Sequence, residues 1–248
     1  MLNDTINKLI DLKLLGIKDH LSEYLDKITD DNLSFLEGLN LLLNEEIKHR
    51  EIRYSQNNIK VAHFPFVKTI SDFDFEFQPS ISKNKIMDLS SLRFLEENKN
   101  VIFFGDSGVG KTHLATALGV EAASKRHSVY FINCNDLINN LLEAYRENKA
   151  AERIKHYCKY QLLIIDEIGY LPTDRNGANL FFQLISKRYE NKSTIITTNL
   201  SFDRWEETFG DKTIANAIVD RLIHHSEIIN IKGKSYRMKE LKEQMNIK

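Results

Sequence analysis

Gly105-Asp106-Ser107-Gly108-Val109-Gly110-Lys111-Thr112 is the stretch that decides how this chain is read. It satisfies G-x-x-x-x-G-K-[ST], follows the apolar run Val101 to Phe104 directly, and leads into a helical pattern. A polyphosphate needs close approach of the main chain and many N–H donors. Glycines at 105, 108 and 110 remove the side chains that would block that approach. Lys111 adds a mobile positive charge for the β- and γ-phosphates, and the Thr112 hydroxyl is a ligand for Mg²⁺. The loop, with His113 beside it, therefore predicts a nucleoside triphosphate site at the head of a helix.

Outward from the loop, apolar strand candidates alternate with helices. The strands are Val101 to Phe104, Val129 to Ile132, Leu162 to Ile165, Thr194 to Thr197 and Ile228 to Ile231; the helices are Thr112 to Lys125, Asp136 to Tyr157 and Ala178 to Glu190. Continuous apolar strands in that alternation indicate a five-stranded parallel sheet covered by helices on both faces. Leu162-Leu163-Ile164-Ile165-Asp166-Glu167 ends its strand in two carboxylates, where open α/β sheets bind ligands. Asp166 is then a second Mg²⁺ holder, and Glu167 the group that polarises a water attacking the γ-phosphate. Asn199, the polar amide that ends the β-branched stretch Ser193-Thr194-Ile195-Ile196-Thr197-Thr198-Asn199, is placed to sense the γ-phosphate or is an ordinary turn residue. Arg204, Arg221 and Arg237 are the late arginines that could meet transition-state charge or simply be salt-bridged at the surface. His224-His225 is a poor metal pair, because neighbours on a helix point about 100° apart and no third ligand is spaced to join them.

The rest of the chain narrows the class. With 248 residues, 42% hydrophobic and 28% charged, it has the composition of a soluble globular protein and too few glycines and prolines for a low-complexity linker. No apolar run reaches the roughly 18 residues of a membrane helix, and Met1 to Asp4 lacks the form of a secretory signal. Cys134 and Cys158 form neither a disulfide framework nor a zinc ribbon, so a cytoplasmic setting is expected. The formal charge of −1 hides a basic tail, in which Lys232, Lys234, Arg237, Lys239, Lys242 and Lys248 stand against Glu240 and Glu243. That tail is either an anion-facing end or a solvated last helix.

Residues 1–62 read as a small all-helical unit that docks DNA or a protein partner, or caps the main domain. Ile17, Leu21, Tyr24, Leu25 and Ile28 share one face, and Ser34-Phe35-Leu36-Glu37 has the form of a capping box. The second helix carries Leu36, Leu39, Leu43 and Ile47 as an apolar stripe, then runs into Lys48, His49, Arg50 and Arg53. Residues 63–84, with His63-Phe64-Pro65-Phe66 and Phe73-Asp74-Phe75-Glu76-Phe77, break the helical period and read as a linker or edge strand, one face buried or laid against a base. The main domain is expected over 85–248.

Gly105 to Leu114, Leu162 to Pro172, Thr197 to Asn199, the run from Trp205 through Asp220-Arg221-Leu222 and His224-His225, and Ser235-Tyr236-Arg237 together resemble the IstB group. These are AAA+ ATP-binding helpers of insertion-sequence transposition, related to the DnaC and DnaI helicase loaders. The resemblance implies a P-loop AAA+ domain in which Lys111 and Thr112 bind ATP and Mg²⁺ and Asp166 and Glu167 form the acidic site. It further implies Asn199 as first sensor, Arg221 as a finger completing a neighbouring subunit's site, and Arg237 at the second-sensor position. The expected function is an ATPase that forms a homo-oligomer on duplex DNA and assists a transposase in choosing or deforming its target. The alternative is a loader docking on a replicative helicase and single-stranded DNA; a metabolic P-loop kinase would need a lid and small-substrate pocket that nothing spells.

Overall fold

The structure, a computed structural model, describes residues 2–170 and 172–246 without the side chains of 240, 242–244 and 246. Leu171 of the strand-end motif and Lys248 of the basic tail lie outside the described residues, as do the side chains of Glu240, Lys242 and Glu243. The chain divides into two units, Met1–Asn57 and Asn58–Lys248.

The first unit holds α1 (Leu2–Asp11), α2 (Leu15–Asp30) and most of α3 (Phe35–Val61). Ser34 and Glu37 form the expected capping box: the Ser34 amide and hydroxyl both donate to Glu37 Oε2, at 2.8 and 2.6 Å. Leu14, before α2, has no side chain able to cap it, and Glu46 of α3 does so instead. Its carboxylate, also paired with Arg50, accepts the Gly16 and Ile17 amides at 2.8 and 3.3 Å. Gly16 is required there, since a β-carbon would meet the His49 side chain and the Glu45 and Glu46 backbone.

The second unit is a five-stranded parallel sheet in the order β2-β3-β4-β1-β5. Its strands are β1 (Asn100–Gly105), β2 (Val129–Asn133), β3 (Leu162–Ile168), β4 (Ser193–Thr198) and β5 (Ser226–Ile231). Period-two alternation sends Val101, Phe103, Leu162 and Ile164 to one core, with Leu114 and Leu118 of α6 (Lys111–Ser124) and the short α4 (Lys83–Ser90) and α5 (Arg93–Glu96). Ile102, Leu163, Ile165 and Ile196 go to the other. There they meet α7 (Cys134–Arg146), α8 (Ala150–Cys158), α9 (Arg175–Arg188), α10 (Trp205–Phe209) and α11 (Lys212–His224). A last helix, α12 (Tyr236–Asn246), follows β5.

Two expectations change. The single helix anticipated over 136–157 breaks into α7 and α8, because Asn148 turns left-handed (φ 59°) and the Lys149 amide closes on Ala144 O at 2.7 Å. Residues 63–84 form no strand. Thr69 and Asp72 cap a short 3₁₀ turn, Ile70–Asp72, and the Asp74 carboxylate accepts the Phe77 amide at 3.0 Å, which bends the Phe-x-Phe-x-Phe run. Phe73 and Ile81 thus enter the core, while Phe77 packs 4.6 Å from the Tyr236 ring.

Candidate active site

Because β4 lies between β1 and β3, the turns after these three strands meet at one end of the sheet. There a cleft of about 890 Å³ opens, lined by Ser107, Gly108, Gly110, Lys111, Thr112, His113, Asp166, Glu167, Tyr236 and Arg237, among others. The glycines are structural requirements. Gly108 and Gly110 have φ of 79° and 102°, and a β-carbon would collide with the Ser235 hydroxyl at the first and with Phe73 at the second. Val109 points into the core, 1% exposed, so it offers the cleft its main chain alone. Lys111 folds back, its Nζ donating to the Gly105 and Asp106 carbonyls at 2.8 and 2.7 Å. Burial lowers its pKa, partly opposed by the negative charge of Asp166.

Opposite the loop, the Thr112 hydroxyl donates to the Asp166 carboxylate at 3.0 Å, and the Thr197 hydroxyl donates to the same group at 2.6 Å. Burial raises the Asp166 pKa, and those two hydrogen bonds oppose it. Hydroxyl and carboxylate together are the hard oxygen donors that suit Mg²⁺. Glu167 sits at an irregularity in the β3–β4 pairing, left-handed at φ 61°. Its amide donates to Thr197 Oγ1 at 2.9 Å, and its carboxylate accepts Asn133 Nδ2 at 2.9 Å.

The other expected residues divide. Arg237 lines the cleft of its own chain, near enough for its charge to press on Lys111. His113 lines the cleft with its ring edge-on against the core residue Phe73, its Nε2 3.1 Å from Thr69 O, and burial lowers its pKa. Asn199 and Arg221 do not line the cleft. Asn199 Oδ1 is buried and has no hydrogen-bond partner among the described residues. Arg221 donates to Ala217 O at 3.0 Å and lies 4.7 Å over the Phe182 ring. Arg204 is a surface arginine paired with Glu207. In the basic tail, Lys239 pairs with Asp74 at 3.3 Å, so that helix is partly docked.

Sequence reasoning missed Asn133, and it gave no role to Thr197 or Tyr236 although both stand in the stretches that carry the resemblance. Asn133 is the polar residue that ends β2, the same signal that singled out Asn199. Tyr236 stands directly before Arg237; its amide donates to Gly108 O at 2.9 Å and its hydroxyl to Asp74 O at 2.6 Å. Burial pushes its pKa up to about 12, which keeps the phenol a neutral donor.

A phosphate loop after β1, carboxylates at the end of β3 and the 2-3-4-1-5 parallel sheet define a P-loop ATPase of the AAA+ fold. The model for the family described as IstB-like ATP binding protein matches residues 7–244, and the chain belongs to that family. It is 53% identical over 229 residues, 92% of each chain, to an insertion sequence IS232 putative ATP-binding protein of Bacillus thuringiensis subsp. berliner. It is 44% identical, over 92% of this chain and 86% of the relative, to an insertion sequence IS21 putative ATP-binding protein of Pseudomonas aeruginosa. Among solved structures it resembles DnaI, with a TM-score of 0.56 at 22% identity over 66% of this chain and 90% of that one, a likeness of fold. Among the described residues, no helix is long and apolar enough to cross a membrane.

Proposed function

We propose that this ATPase assembles with further copies of itself on duplex DNA and assists a transposase in selecting or deforming target DNA. The observation that carries the reading is the match along 92% of both chains to a protein named for an insertion sequence. The setting of Arg221 supports the assembly: it stands away from its own chain's cleft, as a residue serving a neighbour's site would. The first unit is assigned the partner or DNA contact, since α3 exposes Leu36, Leu39, Leu43 and Ile47 ahead of its basic end.

In this reading the amides of 106–112 hold the polyphosphate, and Lys111 leaves the Gly105 and Asp106 carbonyls for the β- and γ-phosphates. Thr112 and Asp166 would hold Mg²⁺, which neutralises charge on the phosphate oxygens. Glu167, with its carboxylate steadied by Asn133, takes up a proton as water attacks the γ-phosphorus and the bond from it to the bridging β-phosphate oxygen breaks, releasing ADP and phosphate. Asn199, whose Oδ1 is buried beside the end of β4, would have to turn into the cleft to sense that water; Arg237 meets charge from the same chain, and Arg221 from the next.

Duplex binding followed by fluorescence anisotropy, with and without ATP and Mg²⁺ across a salt series, tests this. Binding should tighten with ATP, depend little on sequence and fall steeply with salt, as phosphate contacts do. A preference for single strands would favour helicase loading, and binding indifferent to ATP would contradict the coupling.

A further inference from the structure

The fold overturns the expectation for His224 and His225. α11 ends at His224, and His225 leaves the helical path at φ −123°, ψ 67°, its carbonyl accepting the Asn100 amide at 2.7 Å. Freed from helical divergence, the two rings come to 4.1 Å between centres. A third donor arrives from a different part of the chain. Glu190, left-handed at φ 58° between α9 and β4, brings its Oε1 to 3.3 Å from His225 Nε2. One donor atom from each of Glu190, His224 and His225 lies within 4.8 Å of the other two, and all three residues are exposed.

We propose that Glu190, His224 and His225 bind a divalent transition-metal ion of the Zn²⁺ type. Two imidazoles and a carboxylate are borderline donors that suit such an ion over Mg²⁺, which prefers oxygen alone. At bond lengths of about 2.0–2.1 Å, tetrahedral ligand atoms stand roughly 3.4 Å apart, so side-chain shifts of about 1 Å close the site. Exposed side chains have that freedom. Tyr189 supplies the outer support: its hydroxyl is 2.6 Å from His224 Nδ1 and its ring lies 5.9 Å from that imidazole, which fixes how the ring stands. Three protein donors leave a fourth position open to water or to a further group.

The site is separate from the nucleotide cleft. His225 is tied to the start of β1 and the phosphate loop follows its end, a strand's length of roughly 17 Å away. A bound ion would tie the end of α11, the helix that carries Arg221, to the turn after α9. Because the donors converge only in the folded chain, binding stabilises the fold.

Zn²⁺ titrated into the full-length, nucleotide-free protein, followed by calorimetry and thermal unfolding, decides the matter, with Co²⁺ absorption reporting coordination geometry. One equivalent should bind and raise Tm. His224→Ala, His225→Ala and Glu190→Gln should each weaken binding at least about tenfold and remove the Tm rise. Asp166→Asn, which alters the nucleotide cleft, should bind Zn²⁺ as the wild type does. No binding by the wild type, equal binding by the three site variants, or loss in Asp166→Asn would overturn the proposal.

Discussion

The two units treat their apolar side chains in opposite ways. In the ATPase unit Trp205, Phe181 and Phe209 are fully buried, with the Phe181 and Phe209 rings stacked at 5.3 Å. In α3, Phe35, Leu36, Leu39, Leu43 and Ile47 are between 38% and 80% exposed, and that unit buries little beyond Ile17 and Leu21 around the Glu46 cap. A parallel sheet has two faces to cover and covers them with its own helices, whereas a long helix with one short antecedent pair has stripe left over. The difference separates a unit whose largest aromatic side chains are consumed in folding from one whose longest helix keeps an apolar stripe exposed.

Four substitutions probe that contrast, in descending order of effect. Glu167→Gln should lower steady-state phosphate release by at least about a hundredfold while nucleotide binding measured by calorimetry persists. Phe181→Ala should cost about 3–5 kcal/mol in chemical denaturation, because it empties a closed core position. Asp166→Asn should raise, not lower, the Tm of the nucleotide-free protein at neutral pH. The folded-state pKa of Asp166 lies above its unfolded value, so ionisation costs stability as pH rises through that folded pKa. Correspondingly, the gain in Tm should shrink as pH falls toward the ordinary carboxylate range. Leu43→Ala in α3 should change stability by no more than about 0.5 kcal/mol; a core-sized loss would mean that the stripe is consumed in folding after all.

What was legible in the sequence was what is local. The glycine spacing of 105 to 112, the apolar runs of all five strands and the paired Asp166 and Glu167 each carry their meaning within a few residues. The missing parts depend on which strands are neighbours. Asn133 reaches Glu167 because β2 lies beside β3, and Tyr236 reaches Asp74 across 162 positions. Helical spacing drew the face of α3 without saying what it faces. It also misjudged His224 and His225, since the helix ends between them and Glu190 arrives from another element.

The account rests on main-chain amides of the loop at the head of α6 gripping a triphosphate. Hydrogen exchange at the amides of residues 106–113, with and without a non-hydrolysable ATP analogue and Mg²⁺, tests that directly. The expected result is marked protection of those amides at saturation, diminished in Gly108→Ala, whose β-carbon meets Ser235. Exchange at the loop unchanged by saturating analogue would contradict it.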